Sequence, residues 1–461
     1  MEKQNTKLDL LGNAPIPRAL LSLGLPTMVG MLINALYSLV DAYFVGGLGT
    51  DAMGAITVAY PLGQIVVGLG LLFGNGAAAY ISRLLGRGDK ETAGKVASTA
   101  LYSSVVTGTV AIIFCLVFLN PILGRLCELE SVTPYAISYT GIYIAFSICN
   151  VFNVTMNNIV SSEGAAKIAM CALLAGAVLN VMLDPIFIYS LNMGVAGAAV
   201  ATGISQMVSS AVYLIYIFRK KSVFSFSVKA FSLTKEIMPE ILKIGVPTFL
   251  FQLLTSLSIS MMNNGAAEYS ESALAAMGPV TKIMSMGTLV VFGFLKGFQP
   301  IAGFSYGAGK YDRLRQAIKT SIIWSTAFCV VFGLSIAVFS GGIMSSFTKD
   351  DGEMIRIGQI ALRANGTSFM LFGFYTVYSF LFLVMGKAKE GFFLGACRQG
   401  ICFIPVILLL SRFFGLNGVL FAQPVADVIS AVVAIWMALR FQRELKERES
   451  ATINGGHLGD K

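Results

Sequence analysis

The chain is built from long apolar runs, each about twenty residues or more, separated by short polar connections along nearly its whole length. A run of that length crosses a hydrocarbon core about 30 Å thick as a helix. Away from water, a spanning segment must satisfy its backbone groups internally, which leaves helices or closed barrels. Twelve such segments can be drawn, at 19–47, 54–84, 95–120, 135–161, 168–190, 194–218, 239–266, 273–304, 316–346, 355–385, 390–412 and 417–441. The expected fold is an all-α membrane protein of twelve transmembrane helices. Only 12% of the 461 residues are charged and 56% are hydrophobic, against about 25% charged in an ordinary soluble domain.

The formal charge of +9 suggests nucleic acid only until its placement is read. Lys3, Lys7 and Arg18 precede the first span, Arg83 to Lys95 follow the second, Arg219 to Lys243 surround the sixth-to-seventh connection, and Lys310 to Lys319 follow the eighth. The alternate loops are poor in basic residues. That is the positive-inside pattern, and it predicts a multi-pass protein of a prokaryotic inner membrane, surrounded by lipid, with both termini cytoplasmic and no nucleic-acid partner. The sole histidine, His457, lies in the polar tail, and the seven cysteines form no Cys-x-x-Cys pair. A histidine-based catalytic centre or metal cage is thereby excluded, and neither enzyme activity nor a cofactor is expected.

The chain repeats. Leu23-Gly24-Leu25-Pro26-Thr27 is echoed by Ile244-Gly245-Val246-Pro247-Thr248, and Leu85-Gly86-Arg87-Gly88 by Tyr306-Gly307-Ala308-Gly309, at an offset of 221 residues. Two halves of six spans that begin on the same side predict bundles related by a pseudo-two-fold axis along the membrane normal, with a substrate path between them. The expected organisation is a first bundle at 1–218, a linker at 219–238, a second bundle at 239–445 and a polar tail at 446–461.

Ionisable residues inside spans mark function by default. Asp41 and Asp184 lie in the first half. Asn180 is four residues before Asp184 and so shares its helix face, and Thr202 follows in the sixth span. At about 1.5 Å of rise per residue, all four reach a similar depth in the outer half of the membrane, with Tyr37 one turn below Asp41 and Tyr139 one turn into the fourth span. Two carboxylates, an amide oxygen and a hydroxyl suit a hard cation such as Na+. They equally suit a proton, because two neighbouring carboxylates repel unless they hold one between them. The offset of 221 residues sets Met262, Ile401, Pro405 and Gln423 against these four positions, so the oxygen set belongs to the first half alone. Pro26 is a candidate hinge. Asn153, Asn157, Gln206, Gln252, Asn263, Arg398 and Asp427 are candidate cavity residues, although Arg398 and Asp427 also read as a buried ion pair. Glu163, at the inner end of the fourth span, reads as an interfacial residue.

Pro26, the run Leu36-Tyr37-Ser38-Leu39-Val40-Asp41, Phe44-Val45-Gly46, and Gln299-Pro300-Ile301-Ala302-Gly303 with Tyr306-Gly307-Ala308 together resemble the multidrug and toxic compound extrusion (MATE) transporters over about residues 15–445. Arg398-Gln399-Gly400 leading to Pro405 is similar to the MepA-like branch. The resemblance implies two six-helix bundles and export of cationic, lipophilic small molecules by a monomer, driven by inward Na+ or H+. It also implies, from DinF-like members, a cation site at Asp41, Asn180, Asp184 and Thr202. A flippase for an amphiphilic lipid-linked substrate is the alternative; twelve spans and the acidic first-half site count against it. A major facilitator carrier is disfavoured because Ile81-Ser82-Arg83-Leu84-Leu85-Gly86 does not match the Gly-x-x-x-Asp-Arg loop of that class.

Overall fold

A computed structural model describes residues 2–126, 132–348 and 351–453. Cys127, His457 and the end of the polar tail lie outside the described residues. The described chain is helical: α1 (Glu2–Gly12), α2 (Ile16–Gly46), α3 (Thr50–Arg87), α4 (Lys90–Val117), α5 (Leu119–Leu126), α6 (Thr133–Ser162), α7 (Ala166–Pro185), α8 (Gly194–Phe218), α9 (Ile237–Ala267), α10 (Glu271–Gly307), α11 (Tyr311–Phe347), α12 (Gly352–Phe369), α13 (Phe372–Val384), α14 (Ala388–Ala396), α15 (Phe403–Phe414) and α16 (Leu416–Ile453). Five-residue π-helical turns join α7 to the α8 connection (Ile186–Ser190) and α14 to α15 (Cys397–Ile401).

Eleven continuous helices are long and apolar enough to cross a membrane. The span expected at 355–385 is instead the pair α12 and α13, bent by 54° at its break, which makes twelve if the pair is one span. No proline sits at that break. Ser368 donates to the Asp427 carboxylate rather than serving only its own helix, and a Cβ on Gly373 would lie 2.7 Å from the Ser325 backbone of α11. These two contacts flank the break, one on each side.

Outward faces carry rows of large apolar residues at helical spacing. Val106, Val110, Phe114 and Val117 on α4, and Val331, Leu334 and Val338 on α11, are all exposed. In water such rows would be patches calling for a partner; in a multi-pass membrane protein they face lipid. The interior is packed with small residues, as in the cluster Ala52, Ala55, Ala59, Ala136, Ala198 and Ala199 around Val66, Tyr139 and Ile144. That composition lets helix backbones approach closely where no hydrophobic effect drives them together.

The chain divides into two compact units. The first holds residues 1–253 and 292–307, and the second residues 254–291 and 308–461. The division runs through α9 and α10 instead of along the 219–238 connection. Within the first unit, the N-terminal part of α9 and the C-terminal part of α10 pack on α2 and α3 through glycine. A Cβ on Gly297 would sit 2.3 Å from the Gly24 nitrogen, and one on Gly76 would sit 2.2 Å from the Ile241 carbonyl and 3.2 Å from the Gly245 nitrogen. Gly24 maps onto Gly245, and Gly76 onto Gly297, by the same offset of 221 residues seen in the sequence. The internal repeat therefore appears as a pair of matching backbone crossings.

Gly297→Ala is expected to destabilise the fold by about 1–3 kcal/mol, because the intruding methyl group meets backbone that has nowhere to go. Gly278→Ala, on the same helix α10 but in open space, should change stability by no more than about 1 kcal/mol, and upward, since alanine is the better helix former. Thermal unfolding midpoints of the two purified variants check the pair.

Candidate cation-binding site

Asp41 lies five residues before the end of α2, Asn180 and Asp184 close α7, and Thr202 lies in the first half of α8. The end of α7 is shaped by Pro185, which has no N–H to continue the ladder, and the π-turn follows immediately. Within that turn the Tyr189 hydroxyl donates to the Phe44 carbonyl at 2.6 Å, which ties the end of α7 to the end of α2. Asp41 and Asp184 stand one turn inside this tie, with their carboxyl groups within hydrogen-bonding reach of each other.

The four oxygen-bearing residues come together. The Asn180 amide donates to Asp184 Oδ1 at 3.2 Å and to Thr202 Oγ1 at 3.4 Å. Asn180 and Asp184 are almost fully buried. With its Nδ2 committed in this way, Asn180 keeps Oδ1 free, and that oxygen has no partner; neither do Asp41 Oδ1 and Asp184 Oδ2. Buried polar atoms are ordinarily paired, and an unpaired one costs about 1–3 kcal/mol. Three acceptors without a donor in one place need a positive guest, and both a hard cation and a proton fit that requirement. Tyr37 and Tyr139 close the flank toward Asp41, and Tyr143 stacks on Tyr139 with ring centroids 6.0 Å apart. Among the described residues, no group of three or more His, Cys, Asp or Glu is gathered as a transition metal would require.

The other candidates sort into separate clusters. Asn153 donates to Gln206 Oε1 at 2.8 Å and accepts from Ser210 at 2.8 Å, joining α6 to α8. Asn157 accepts from Lys296 at 3.1 Å and donates to Tyr213 at 3.2 Å. Gln252 donates to Gln64 at 3.0 Å. In the second unit, Arg398 Nε meets Asp427 Oδ1 at 2.9 Å; Ser368 and Gln423 complete the carboxylate at 2.9 and 3.0 Å, and the Phe372 ring lies 4.7 Å from the guanidinium. Those two charges satisfy one another. Asn263 is partly buried on α9 and enters none of these hydrogen bonds. Near Pro26, the Thr27 hydroxyl reaches the carbonyls of Leu23, Gly24 and, across to α10, Gly293.

Glu163 directly follows the last residue of α6. It is fully buried, accepts from Ser222 at 2.9 Å and from the Val223 amide at 2.7 Å, accepts from Tyr216, and pairs with Lys7 of α1 at 3.7 Å. Neither Lys7 nor Tyr216 stands out in the sequence as a partner, because both reach Glu163 from helices remote in the chain. Burial raises the Glu163 carboxyl above its ordinary value, opposed by Lys7 and the hydrogen bonds. The stability tied to this group is full below about pH 4.3, the ordinary glutamate value, and is lost as pH rises through the raised folded value. Glu163→Gln, neutral throughout, should therefore flatten the fall of the unfolding midpoint as pH rises above about 4.3, the ordinary glutamate value; profiles that stay parallel would contradict the assignment.

The MatE family model matches residues 26–186 and 247–409, one match in each half. The chain is 28% identical over 451 residues to the multidrug export protein MepA of Staphylococcus haemolyticus, covering 98% of this chain and 99% of that protein. It is equally similar to MepA of Staphylococcus aureus, over 98% of this chain and 100% of that one. Among solved structures it superposes with a TM-score of 0.90, at 27% identity, on an outward-facing multidrug resistance MATE transporter of the MOP superfamily, covering 95% of this chain and 98% of that one. A MOP superfamily transporter from Pyrococcus furiosus, described as having a binding pocket of reversed polarity that suggests a different function, superposes at 0.88 with 27% identity over 95% and 98% of the two chains.

Proposed function

The chain belongs to the MatE family, whose members are membrane transporters and not enzymes, and on that premise we propose that it exports cationic, lipophilic drugs and toxic compounds across the cytoplasmic membrane in exchange for inward Na+ or H+. The observation that carries the coupling part is the trio of buried oxygens without partners on Asp41, Asn180 and Asp184. The full-length similarity to multidrug export proteins supports the choice of cargo. The protein works as a monomer with both termini cytoplasmic, and residues 1–218 and 239–445 act as the two bundles.

In this reading Asp41 and Asp184 supply the charge, Asn180 bridges Asp184 to Thr202, and Thr202 adds a neutral oxygen. An entering Na+ or proton removes the need for an outside positive partner. A cationic drug competes for the same carboxylates. Coupling requires that ion and drug stabilise different states, since a ligand with equal affinity for both shifts nothing. The element that changes is α2: Pro26 leaves a carbonyl of the preceding turn without its helical donor, and Thr27, one residue on, holds α2 to the Gly293 carbonyl of α10. Neutralising Asp41 on the same helix releases it to bend at that weak turn.

Ethidium efflux from cells expressing the protein under imposed Na+ or pH gradients tests the proposal. Asp41→Asn and Asp184→Asn should each fall to the rate of cells without the transporter at equal expression. Thr202→Val should keep efflux but raise the ion concentration for half-maximal rate by roughly threefold to tenfold, the worth of one hydrogen-bonding oxygen. Wild-type efflux in both aspartate variants would remove these carboxylates from coupling.

A further inference from the structure

Lys296 lies near the C-terminal end of α10, inside the first unit, and takes no part in the cation set. A buried or half-buried ammonium is normally paired with a carboxylate. Here, among the described residues, no ion pair joins Lys296, and its one hydrogen bond goes to a neutral oxygen, Asn157 Oδ1 at 3.1 Å. A lysine carries three donors, so two remain. Lys296 lines a narrow crevice with Asn158, Ser161 and Gln299. The Asn158 amide is spent on the Val154 carbonyl at 2.8 Å and that of Gln299 on Asn75 at 3.1 Å. The Ser161 hydroxyl is buried and has no partner at all.

The crevice thus holds a whole positive charge that no carboxylate among the described residues balances, beside a hydroxyl without a partner. That is the opposite polarity to the Asp41–Asp184 site. We propose that Lys296, with the Ser161 hydroxyl, binds the carboxylate of zwitterionic substrates, those that carry an anionic group beside the cationic one. This inference rests on the export reading above. A carboxylate is planar and small, and its two oxygens can accept from the ammonium and the hydroxyl together.

The crevice has no room for even a water molecule as it stands, and the reason lies in the residues on either side of Lys296. A Cβ on Gly293 would sit 2.6 Å from the Met28 backbone, and one on Gly297 would sit 2.3 Å from that of Gly24. These backbone contacts clamp α10 against α2 and press Lys296 onto Asn157. Parting them opens the crevice to a carboxylate; forming them expels it and gives Asn157 to Lys296 in its place.

The test uses two fluorescent probes, zwitterionic rhodamine B and its ethyl ester, which keeps the cationic ring system but lacks the carboxylate. Binding to purified full-length wild type, Lys296→Gln and Lys296→Arg is read by fluorescence anisotropy. The wild type should favour the acid over the ester by about tenfold, the worth of one charge-assisted hydrogen bond. Lys296→Gln should bring that ratio to near one, and Lys296→Arg should keep it. A ratio that is the same in wild type and Lys296→Gln, or an equal loss of both probes in that variant, overturns the assignment. A wild-type preference abolished by added phosphatidylglycerol overturns it too, and gives the crevice to a lipid phosphate. Failure here leaves the export reading standing, because ethidium, the probe of that reading, carries no carboxylate.

Discussion

In hydrocarbon there is no water to take up an unmet hydrogen bond, and everything distinctive about this protein follows from that. The backbone solves the problem with helices, so sixteen α-helical segments make up most of the described chain, and the longest described connection, 219–236, lies between candidate spans and not within one. Side chains solve it by pairing, and each polar residue placed inside a span must be accounted for by a partner within the protein or by a guest. The pattern of satisfied and unsatisfied groups is therefore the most informative property of the interior.

Most polar groups are satisfied. Arg398 and Asp427 neutralise each other and are closed off by Ser368 and Gln423. Glu163 collects Lys7, Tyr216, Ser222 and a backbone amide. Taking one partner from such a buried set strands a charge, at a cost of about 3–5 kcal/mol, so these sets act as rivets that lock distant helices together. Of the places in the first unit that depart from the pattern, two involve charged side chains of opposite sign without a charged partner of the other sign. Around Asp41 and Asp184 the acceptors exceed the donors, and at Lys296 a positive charge meets only a neutral oxygen. A transporter must hold its cargo and release it, and an imbalance that a guest resolves serves that end better than a network already complete.

Glycine provides the third ingredient. Gly24 with Gly297, and Gly245 with Gly76, bring backbones together in two crossings that the internal repeat relates to one another. At the glycines themselves these contacts depend on shape, while a few hydrogen bonds, such as that from Thr27 to Gly293 and that from Asn75 to Thr248, hold the crossings alongside them. Thr27 and Gly293 lie along the same seam and connect it to the helix that carries Asp41.

Hydrophobic run length alone determined the helical membrane fold, because the thickness of a bilayer leaves a chain little choice. The repeat was legible for the same local reason: like motifs recur in like order. The four residues of the oxygen set were also legible, since an acid inside an apolar run is rare and the helical rise converts position into depth. What local pattern could not decide was pairing between helices far apart in sequence. Glu163 reads as a polar residue at a span end, and nothing local to it names Lys7 and Tyr216, from the first helix and from α8, as the partners it meets. Lys296 is one lysine inside the eighth span, and only the structure sets Asn157, and no carboxylate, opposite it. The bend between α12 and α13 has no proline to announce it and depends on Asp427 drawing Ser368 outward. Each of these rests on which side chain arrives at which depth from another helix, a matter of tertiary packing, whereas the sequence by itself states only that a polar atom is present and must be satisfied.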